Sequence, residues 1–465
     1  MPATRQHWDP VAPTLGQRVW RLLCRWLVRT FYSQAEVTGQ ENVPPTGPLL
    51  FCANHVNALV DAVVVQAGQE RPIHPLARSG LFRSPLLRPL LAMIQAVPIY
   101  RRRTDSNKVA DSKNVGQSRN QDSFERCYEY LAKGRALLIF PEGQSHSDPS
   151  LRPLKTGAAR LAAGFEERHG ERPTIIPVGL IFPQKGRFRS EVLVQFGPPV
   201  PLPAMEDKDQ EARIRAWTDA IGEGLAGVTL NVDSWEDLEL LQLLHDFFDL
   251  RGRGRRSSLE QRFRTLQWLI ETQRWLRITH PTQVALVTAR LRRFGELCRQ
   301  YGVEDYHLSL RYRPWVIVRF LLRALAFAIF VVPPALWGFL NAALPYYATR
   351  WISQRTARGR DQYDTAGMLF GLFFFLTCWS AQVFGVSWFW GNEAAIAYAL
   401  SLPIAAGIAL KLGRERRRVA EHVRVFWLFL RKERLKSYLQ VKRSELEIDL
   451  ARLSRLGRGG AAQTI

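Results

Sequence analysis

The chain has 465 residues and a formal net charge of +22, because 64 lysine and arginine side chains outnumber 42 acidic ones. This charge suits a polyanionic partner, either a nucleic acid or an anionic membrane surface. The five cysteines include no Cys-x-x-Cys pair, which argues against a disulfide framework and a zinc site and fits a reducing cytoplasmic face.

The first predicted element is an amphipathic helix within Thr14 to Tyr32. We interpret residues 1–35 as a basic helix that lies in anionic headgroups and not as a cleavable signal, because arginines interrupt its apolar stretch throughout. A helix packed on the following domain is the alternative. Since the basic stripe adjoins apolar faces, anionic membrane lipid is the expected partner and nucleic acid is not. The stripe consists of Arg18, Arg21, Arg25 and Arg29.

A buried strand is predicted at Leu49 to Ala53, an apolar run bounded by a proline and by polar residues. Asn54 and His55 follow it directly, at the carboxyl end where such strands usually present chemistry. Six positions after His55 comes Asp61, a lone acid in an uncharged stretch. A neutral imidazole at this place can take a proton from a hydroxyl, and a nearby carboxylate can fix its tautomer.

The spacing constrains how these two side chains can meet. Positions i and i+6 lie roughly 120° apart on a continuous helix, so His55 must lie in a turn before the helix that carries Asp61. We predict that Asn57 caps this helix, that the helix begins near Ala58, and that Asp61 leans back toward the turn. The alternative is that Asp61 only complements the helix dipole and that His55 is a structural histidine.

Two further strands are predicted to end at charged or turn-forming residues. Ala96 to Tyr100 delivers Arg101, and Leu137 to Phe140 leads into a polar string that begins Pro141-Glu142-Gly143. Lys155 then precedes a small-residue helix, whose first backbone N–H groups favour an anion. A solvated helix face is the alternative for this lysine.

In chain order, these segments resemble the four motifs of the glycerolipid acyltransferase family over residues 37–200. Most of the family places four residues between the histidine and the aspartate, whereas five separate His55 from Asp61. This spacing is closer to the branch that contains the fungal glycerol-3-phosphate and dihydroxyacetone-phosphate acyltransferases. The matching residues are Asn54-His55 with Asp61, Arg101, Phe140-Pro141-Glu142-Gly143 and Ile175-Ile176-Pro177-Val178.

The resemblance implies an α/β fold with a mixed sheet flanked by helices. The sequence after it predicts a helical region and transmembrane helices. The resemblance also implies transfer of an acyl group from acyl-CoA or acyl-carrier protein, used as co-substrate, to a hydroxyl of glycerol 3-phosphate or 1-acylglycerol 3-phosphate (lysophosphatidate). No metal and no cofactor are implied. His55 would be the general base and Asp61 would orient it, while the substrate-binding residues would be Arg101, Glu142, Gly143 and Lys155.

A covalent intermediate is not required by this chemistry. Cys52 lies inside the apolar strand, and Ser145 has no base that the sequence pairs with it. Two other classes of protein are considered. One is a catalytically inactive membrane scaffold that kept the fold, suggested by the unusual spacing. The other is a nucleic-acid-binding protein, which predicts salt-sensitive binding without lipid.

The sequence divides into five parts. After residues 1–35 come an acyltransferase-like catalytic domain at 36–203, closed by a proline-rich stretch, and a helical accessory region at 204–312. A transmembrane hairpin region follows at 313–412, and a basic amphipathic helix with a tail at 413–465. This last helix either lies on the membrane or packs on the helical region.

Three uncharged stretches are candidates to enter a bilayer: Ala324 to Leu344, Thr365 to Trp390 and Ala394 to Leu410. The positive-inside rule places the basic segments around them on the cytoplasmic face. We predict that Pro333-Pro334 and Gly391-Asn392 turn these stretches into hairpins, which returns every basic segment to that face. The chain is thus expected to be an integral membrane protein with a cytoplasmic catalytic domain. A bacterial inner membrane is favoured over an internal eukaryotic one, and the oligomeric state stays open.

Overall fold

The computed structural model describes residues 12–85, 87–100, 111–204, 209–249, 258–303, 307–308, 325, 329–357 and 359–461. Contacts divide the chain into two compact units. Unit 1 comprises Met1–Asp233 and Ala357–Met368, and unit 2 comprises Ser234–Thr356 and Leu369–Ile465. All site residues predicted from the sequence belong to unit 1.

A seven-stranded sheet forms the centre of unit 1. In chain order its strands are β1 (Gln34–Thr38), β2 (Leu49–Ala53), β3 (Ile73–Arg78), β4 (Val97–Ile99), β5 (Ala136–Ile139), β6 (Thr174–Ile181) and β7 (Glu191–Phe196). Across the sheet they lie in the order β1-β7-β6-β2-β5-β3-β4. Each neighbouring pair is parallel except β6 and β7, which are antiparallel. The predicted α/β fold with a mixed sheet is confirmed.

Helices cover both faces of this sheet. They are α1 (Leu15–Phe31), α2 (Leu59–Gly68), α3 (Arg88–Met93), α4 (Asp111–Ala132), α5 (Gly157–His169) and α6 (Gln210–Val228), with short 3-10 turns at Gln40–Asn42 and Ser79–Arg83. The first three helices contribute to one hydrophobic core, and α4, α5 and α6 contribute to the other. Unit 1 is therefore a three-layer arrangement.

The central strand β2 supplies side chains to both cores. Leu49, Phe51 and Ala53 lie in the core with α1 and α2, whereas Leu50 and Cys52 lie in the core with α4, α5 and α6. All five are fully buried, because successive side chains of a strand point to opposite faces and helices cover both. The end of β2 is thereby fixed between β5 and β6.

α6 belongs to unit 1, although the sequence assigns it to the helical region that starts at residue 204. Trp217, Ile221 and Leu225 recur at helical spacing and are buried in the core with α5. The indole of Trp217 donates to the Pro203 carbonyl at 3.0 Å. The proline-rich stretch therefore lies against α6 inside the unit and does not mark where the unit ends.

α1 packs on the domain with one face and presents apolar side chains on another. Trp20, Cys24 and Val28 are buried in the core, as the packed-helix alternative predicts. Arg21 Nη1 donates to the Glu70 carbonyl at 2.9 Å, just beyond the end of α2. Contact of this helix with a membrane stays a prediction. The exposed apolar stripe of α1 consists of Leu15, Val19, Leu22 and Trp26.

Unit 2 is built from helices. They are α7 (Trp235–Asp249), α8 (Leu259–Thr279), α9 (Pro281–Tyr301), α10 (Val332–Thr356), the greater part of α11 (Arg360–Arg431) and α12 (Glu433–Ala461). The hydrophobic core of unit 2 includes Leu240 of α7, Leu291 of α9, Val425 of α11 and Leu446 of α12. The basic C-terminal helix thus packs on the helical region, one of its two predicted placements.

Gly391 divides α11 into two arms. Its backbone has φ 84° and ψ 172°, so the helix breaks where the sequence predicts a turn. Among the described residues, Gln362–Leu412 is the one segment long and apolar enough to cross a membrane, judged by length and composition. Each arm is comparable to the roughly 20 residues that span a bilayer.

α10 packs against both arms of α11. The Tyr398 hydroxyl donates to the Asn341 side chain, and Gln382 Nε2 donates to the Asn341 carbonyl at 3.4 Å. Two prolines, Pro333 and Pro334, lie in the first turn of α10, where a missing N–H costs little. In the part of the predicted hairpin that precedes these prolines, residues 324 and 326–328 lie outside the described residues.

Candidate active site

The candidate site lies at the carboxyl ends of β2, β5 and β6. Asn54, the first residue after β2, ties two of these strands together. Its Nδ2 donates to the Leu180 carbonyl at 3.1 Å, and its Oδ1 accepts from the Leu180 N–H at 2.7 Å. Because Asn54 is buried, this reciprocal pair holds the end of β2 against β6 and determines where His55 begins.

His55 and Asp61 are in direct contact. The imidazole Nδ1 lies 2.9 Å from Asp61 Oδ2; the histidine side chain is 18% exposed and the carboxylate is fully buried. The ring stacks on Phe140, with centroids 4.2 Å apart. When Nδ1–H donates to the carboxylate, Nε2 is the basic nitrogen of the neutral ring. The structure thus brings together the two residues that the sequence singles out, and their catalytic roles stay a prediction.

The same carboxylate holds the turn that accommodates the fifth intervening residue. Asp61 is the third residue of α2, and its Oδ2 also accepts from the N–H groups of Val56 at 2.9 Å and Asn57 at 2.8 Å. Ala58, directly before the helix, has φ 49° and ψ −125°, a conformation that L-residues rarely adopt. This sharp bend lies between His55 and Asp61, and the two side chains are within hydrogen-bond distance.

Asn57 does not cap α2, so that prediction is wrong. Ala58 is the N-cap residue and makes no side-chain cap bond. The buried Asn57 Nδ2 instead donates to Asp364 Oδ2 at 2.6 Å, and the Asn57 carbonyl accepts from the Thr365 hydroxyl at 3.2 Å. Both partners lie in Ala357–Met368, which is part of unit 1. A charged acceptor 307 residues away replaces the local capping bond that short-range sequence rules predict.

Glu142 ties the loop after β5 to the loop after β2. Its Oε1 accepts from the His55 N–H at 2.7 Å, while its Oε2 accepts from the Arg152 N–H at 2.9 Å and contacts the His146 imidazole. The side chain is buried. Both carboxylate oxygens thus have protein partners, and the Oε1 bond holds the His55 main chain. Substrate contact by Glu142 stays a prediction.

Gly143 and Lys155 face each other in the same cluster of loops. Gly143 has φ 73°, and a Cβ added there would lie 2.7 Å from Lys155 Nζ. The Lys155 N–H donates to the Pro141 carbonyl at 2.8 Å, and its exposed side chain comes two residues before α5 begins at Gly157. A cation beside the N-terminus of a helix suits an anionic ligand.

Two other residues considered from the sequence are Arg101 and Cys52. Arg101, predicted to bind phosphate, lies outside the described residues. Cys52 is fully buried in β2, and burial raises the pKa of its thiol well above the usual range. A thiol that stays protonated inside a core is a poor nucleophile. Within the described ranges, no group of three or more His, Cys, Asp or Glu side chains is placed to bind a metal ion.

A buried carboxylate that orients a partly exposed imidazole is an arrangement suited to general-base catalysis. A family model described as Acyltransferase matches residues 34–181. Residues 34–181 therefore belong to an acyltransferase-family domain. This segment contains β1 to β6 and, with them, His55, Asp61, Glu142 and Lys155.

Known relatives align with this chain over a small part of their length. Glycerol-3-phosphate O-acyltransferase 1 of Saccharomyces cerevisiae is 30% identical over 132 residues, which cover 27% of this chain and 17% of the yeast protein. The chloroplastic 1-acyl-sn-glycerol-3-phosphate acyltransferase BAT2 of Brassica napus is 28% identical over 134 residues, covering 29% of this chain and 34% of the plant protein. The chain thus spans about a sixth of the yeast relative and about a third of the plant relative.

A solved structure also aligns with this chain. It is the 1-acyl-sn-glycerophosphate acyltransferase PlsC from Thermotoga maritima, with 18% sequence identity and a TM-score of 0.31, and it covers 45% of this chain and 78% of that chain. This TM-score is too low to carry an argument about the fold, which rests on the seven-stranded sheet itself.

The sequence interpretation missed Asp364 and Thr365, which reach the site from outside the family match. One signal was present, since Asp364 directly precedes the uncharged stretch that begins at Thr365. A buried acid beside an apolar stretch is costly unless it is paired, so a partner is to be expected. Nothing in the sequence identifies Asn57 as that partner.

Proposed function

We propose that this protein is a membrane-bound O-acyltransferase of glycerophospholipid synthesis. It transfers a fatty acyl group from acyl-CoA or acyl-carrier protein to the hydroxyl of glycerol 3-phosphate or 1-acylglycerol 3-phosphate, with His55 as general base. The observation that carries the proposal is the 2.9 Å contact between His55 and Asp61 inside an acyltransferase-family domain. The names of the yeast and plant relatives supply the two acceptors.

The proposed step starts with the acceptor hydroxyl beside His55 Nε2. The imidazole takes the hydroxyl proton while the oxygen bonds to the thioester carbonyl carbon. Collapse of the tetrahedral adduct breaks the C–S bond, and the departing sulfur receives the proton from the imidazolium. Asp61 accepts from Nδ1–H throughout, which keeps Nε2 as the reacting nitrogen and stabilises the cation. An ester replaces a thioester, so the balance requires neither oxidant nor reductant.

Lys155 supports a phosphorylated acceptor. Its side chain is exposed, lies against Gly143 and precedes the first free N–H groups of α5. An ammonium group beside a helix N-terminus attracts a phosphate through both charges. Arg101, by its match to the second family motif, would add a bidentate contact to the same phosphate.

Membrane attachment is proposed from two features. Gln362–Leu412 is apolar enough to cross a bilayer. In addition, the exposed apolar stripe of α1 is flanked by the exposed Arg18 and Arg29, a combination that favours an anionic interface. The proposal places the catalytic domain on the cytoplasmic face, in keeping with the positive-inside rule.

The alternative is a catalytically inactive scaffold with the same fold. Its main support is the spacing of five residues between His55 and Asp61. The bend at Ala58 brings the two side chains together in spite of that spacing. Catalysis is therefore the better-supported function.

The test is an acyl-transfer assay on the purified full-length protein in detergent with phospholipid. A labelled acyl donor is offered with glycerol 3-phosphate, 1-acylglycerol 3-phosphate or unphosphorylated glycerol in turn. We expect transfer to a phosphorylated acceptor. His55→Ala should lower kcat by roughly 10²- to 10⁴-fold, because the base is lost. The matched control is His169→Ala, which removes an exposed histidine of α5.

Two results would contradict the proposal. A folded wild-type protein that transfers no acyl group from either donor to any acceptor would indicate the scaffold. Undiminished turnover by a folded His55→Ala protein would remove His55 from the role of base.

A further inference from the structure

The turn between His55 and Asp61 is strained. Ala58 adopts φ 49° and ψ −125° without being glycine. Such conformations are energetically unfavourable and persist only where the surrounding contacts over-determine them. The contacts that hold this turn are therefore of functional interest, and Asp61 supplies only part of them.

The other contacts converge on Asn57, the residue before the bend. Asp364 Oδ2 accepts from its side-chain amide at 2.6 Å, and the Thr365 hydroxyl donates to its carbonyl at 3.2 Å. Its N–H donates to Asp61 Oδ2 at 2.8 Å. Asn57, Asp61 and Asp364 are each fully buried. One residue of the turn is thus held through its side chain, its carbonyl and its N–H at once.

Asp364 is itself fixed within unit 1. The Gly186 backbone and the Lys185 charge, both in the loop between β6 and β7, act on it electrostatically. Met368, one helical turn further along, is buried in the core that also contains α1 and α2. The start of α11 is therefore packed in the catalytic unit and can act on Asn57 as a rigid support.

Packing alone does not explain an acid at position 364. Asp364 and Asp61 act on one another as like charges, and two buried carboxylates close together destabilise the fold. Both also act on the buried phenol of Tyr32, whose pKa is raised by desolvation and then by these two charges. An apolar residue would fill the same space at a lower cost. The gain from an acid therefore lies in its polar interactions, of which the hydrogen bond to Asn57 is the one that reaches the turn.

We infer that Asp364 and Thr365 are positioning residues for the acyl transfer proposed above, on which this inference rests. They hold Asn57 so that the strained bend at Ala58 does not relax. The loop N–H groups then stay on Asp61 Oδ2, and the carboxylate stays on Nδ1 of His55. Loss of this support affects the orientation of the base and not the binding of the acceptor.

The kinetic test compares full-length variants in the acyl-transfer assay. Asp364→Ala should lower kcat on the order of 10- to 100-fold, because small displacements of a catalytic group have effects of this size, with KM for the acceptor close to the wild-type value. Thr365→Val should lower kcat less. Asp364→Asn keeps an acceptor oxygen for Asn57 and should recover most of the rate. Gln362→Ala, an exposed residue of the same helix, is the matched control and should behave as wild type.

A second measurement needs no activity. Hydrogen–deuterium exchange, followed by mass spectrometry, reports on the peptide that covers residues 54–61. Asp364→Ala should exchange faster than wild type in this peptide and at the wild-type rate in the sheet. If the wild-type protein transfers no acyl group, the proposed function fails, whereas the exchange result still decides whether Asp364 holds the turn.

Unchanged kcat with unchanged exchange at residues 54–61 in folded Asp364→Ala would overturn the inference. A loss confined to KM would overturn it as well, since it would indicate acceptor binding. If Asp364→Ala does not fold, Thr365→Val keeps the size of the side chain and decides the matter by the same two measurements.

Discussion

At Asp61 a single oxygen atom receives three donors, the imidazole Nδ1 of His55 and the backbone N–H groups of Val56 and Asn57. Among the described residues, the other oxygen of this carboxylate has no hydrogen-bond partner. All of its hydrogen bonding is therefore directed at the loop and the His55 ring. A charged acceptor with several donors forms strong bonds in a buried site, so the ring is held in one orientation.

The anion site can be tested at Lys155. Lys155→Ala removes the cation before α5 and should raise KM for a phosphorylated acceptor about tenfold, the equivalent of about 1.4 kcal/mol. KM for unphosphorylated glycerol should not change. Steady-state kinetics with both acceptors give the comparison.

Arg160→Ala is the control for this measurement. Arg160 is also exposed, lies one turn further along α5 and donates to the Thr156 hydroxyl at 3.2 Å, so its removal should leave both KM values unchanged. An equal increase in KM for both acceptors in Lys155→Ala would exclude a contact between Lys155 and the phosphate. Lys155 would then belong to a solvated helix face.

Among the elements, α1 combines two apolar faces. One face packs in the core through Trp20, Cys24 and Val28, and the opposite stripe, which includes Leu22 and Trp26, is exposed. Exposed large apolar side chains at helical spacing indicate a contact surface. Flanking arginines favour an anionic lipid interface as the partner.

A fluorophore can locate this stripe relative to lipid. In a Cys378→Ala background, where the four remaining cysteines are buried, Leu22→Cys is labelled and the protein is placed in nanodiscs of anionic phospholipid. Lipids carrying a nitroxide near the headgroup should quench the label, because the stripe would lie at that depth. His169→Cys on α5, which contributes to the other core of the sheet, should not be quenched. Equal quenching at both positions, or none at residue 22, would contradict the interfacial role.

The strand that leads to His55 was predicted well from the sequence. Leu49–Ala53 is an unbroken apolar run with turn-forming neighbours, and its structure matches the prediction at both ends. The helix cap at Asn57 was predicted wrongly, because capping rules weigh only nearby residues and the partner of Asn57 is Asp364. The residues of the candidate site that lie in sequence motifs could therefore be predicted. The contact with Asp364, which lies outside those motifs, could not.

For the whole chain, the same limit applies to the division into units. A proline-rich stretch near residue 203 suggests a boundary, yet α6 packs beyond it in the same core. Ala357–Met368 also belongs to unit 1, although Ser234–Thr356, which separates it from the rest of that unit, belongs to unit 2. Composition shows where the chain changes from one type of sequence to another. It does not show which distant core a later segment packs in.

The stability of the fold should fall in weak acid because of His74. This residue of β3 is buried, and desolvation followed by the Arg135 charge lowers its pKa from 6.5 to about 4. As the pH falls from 6.5 toward 4, the unfolded chain binds a proton here that the folded chain does not. The free energy of unfolding then decreases by up to about 3 kcal/mol and levels off below pH 4. As the pH is lowered, the thermal unfolding midpoint should therefore decrease less steeply for His74→Gln than for wild type.

The exposed His169 provides the comparison for this prediction. His169→Gln should keep the wild-type dependence of the unfolding midpoint on pH. The same dependence in His74→Gln would mean that other groups cause the acid sensitivity.

The contact between Asn57 and Asp364 also has a consequence for biosynthesis. Translation adds about 5 to 20 residues per second, so the 307 positions between them take roughly 15 to 60 seconds. During that interval the nascent polypeptide holds every family motif but lacks the carboxylate that Asn57 binds. When Asp364 leaves the ribosome, the apolar arms of Gln362–Leu412 follow at once. Under the proposed function, completion of this turn would coincide with delivery of the apolar segment to a membrane, which would delay consumption of acyl donors until the newly made chain has reached its lipid.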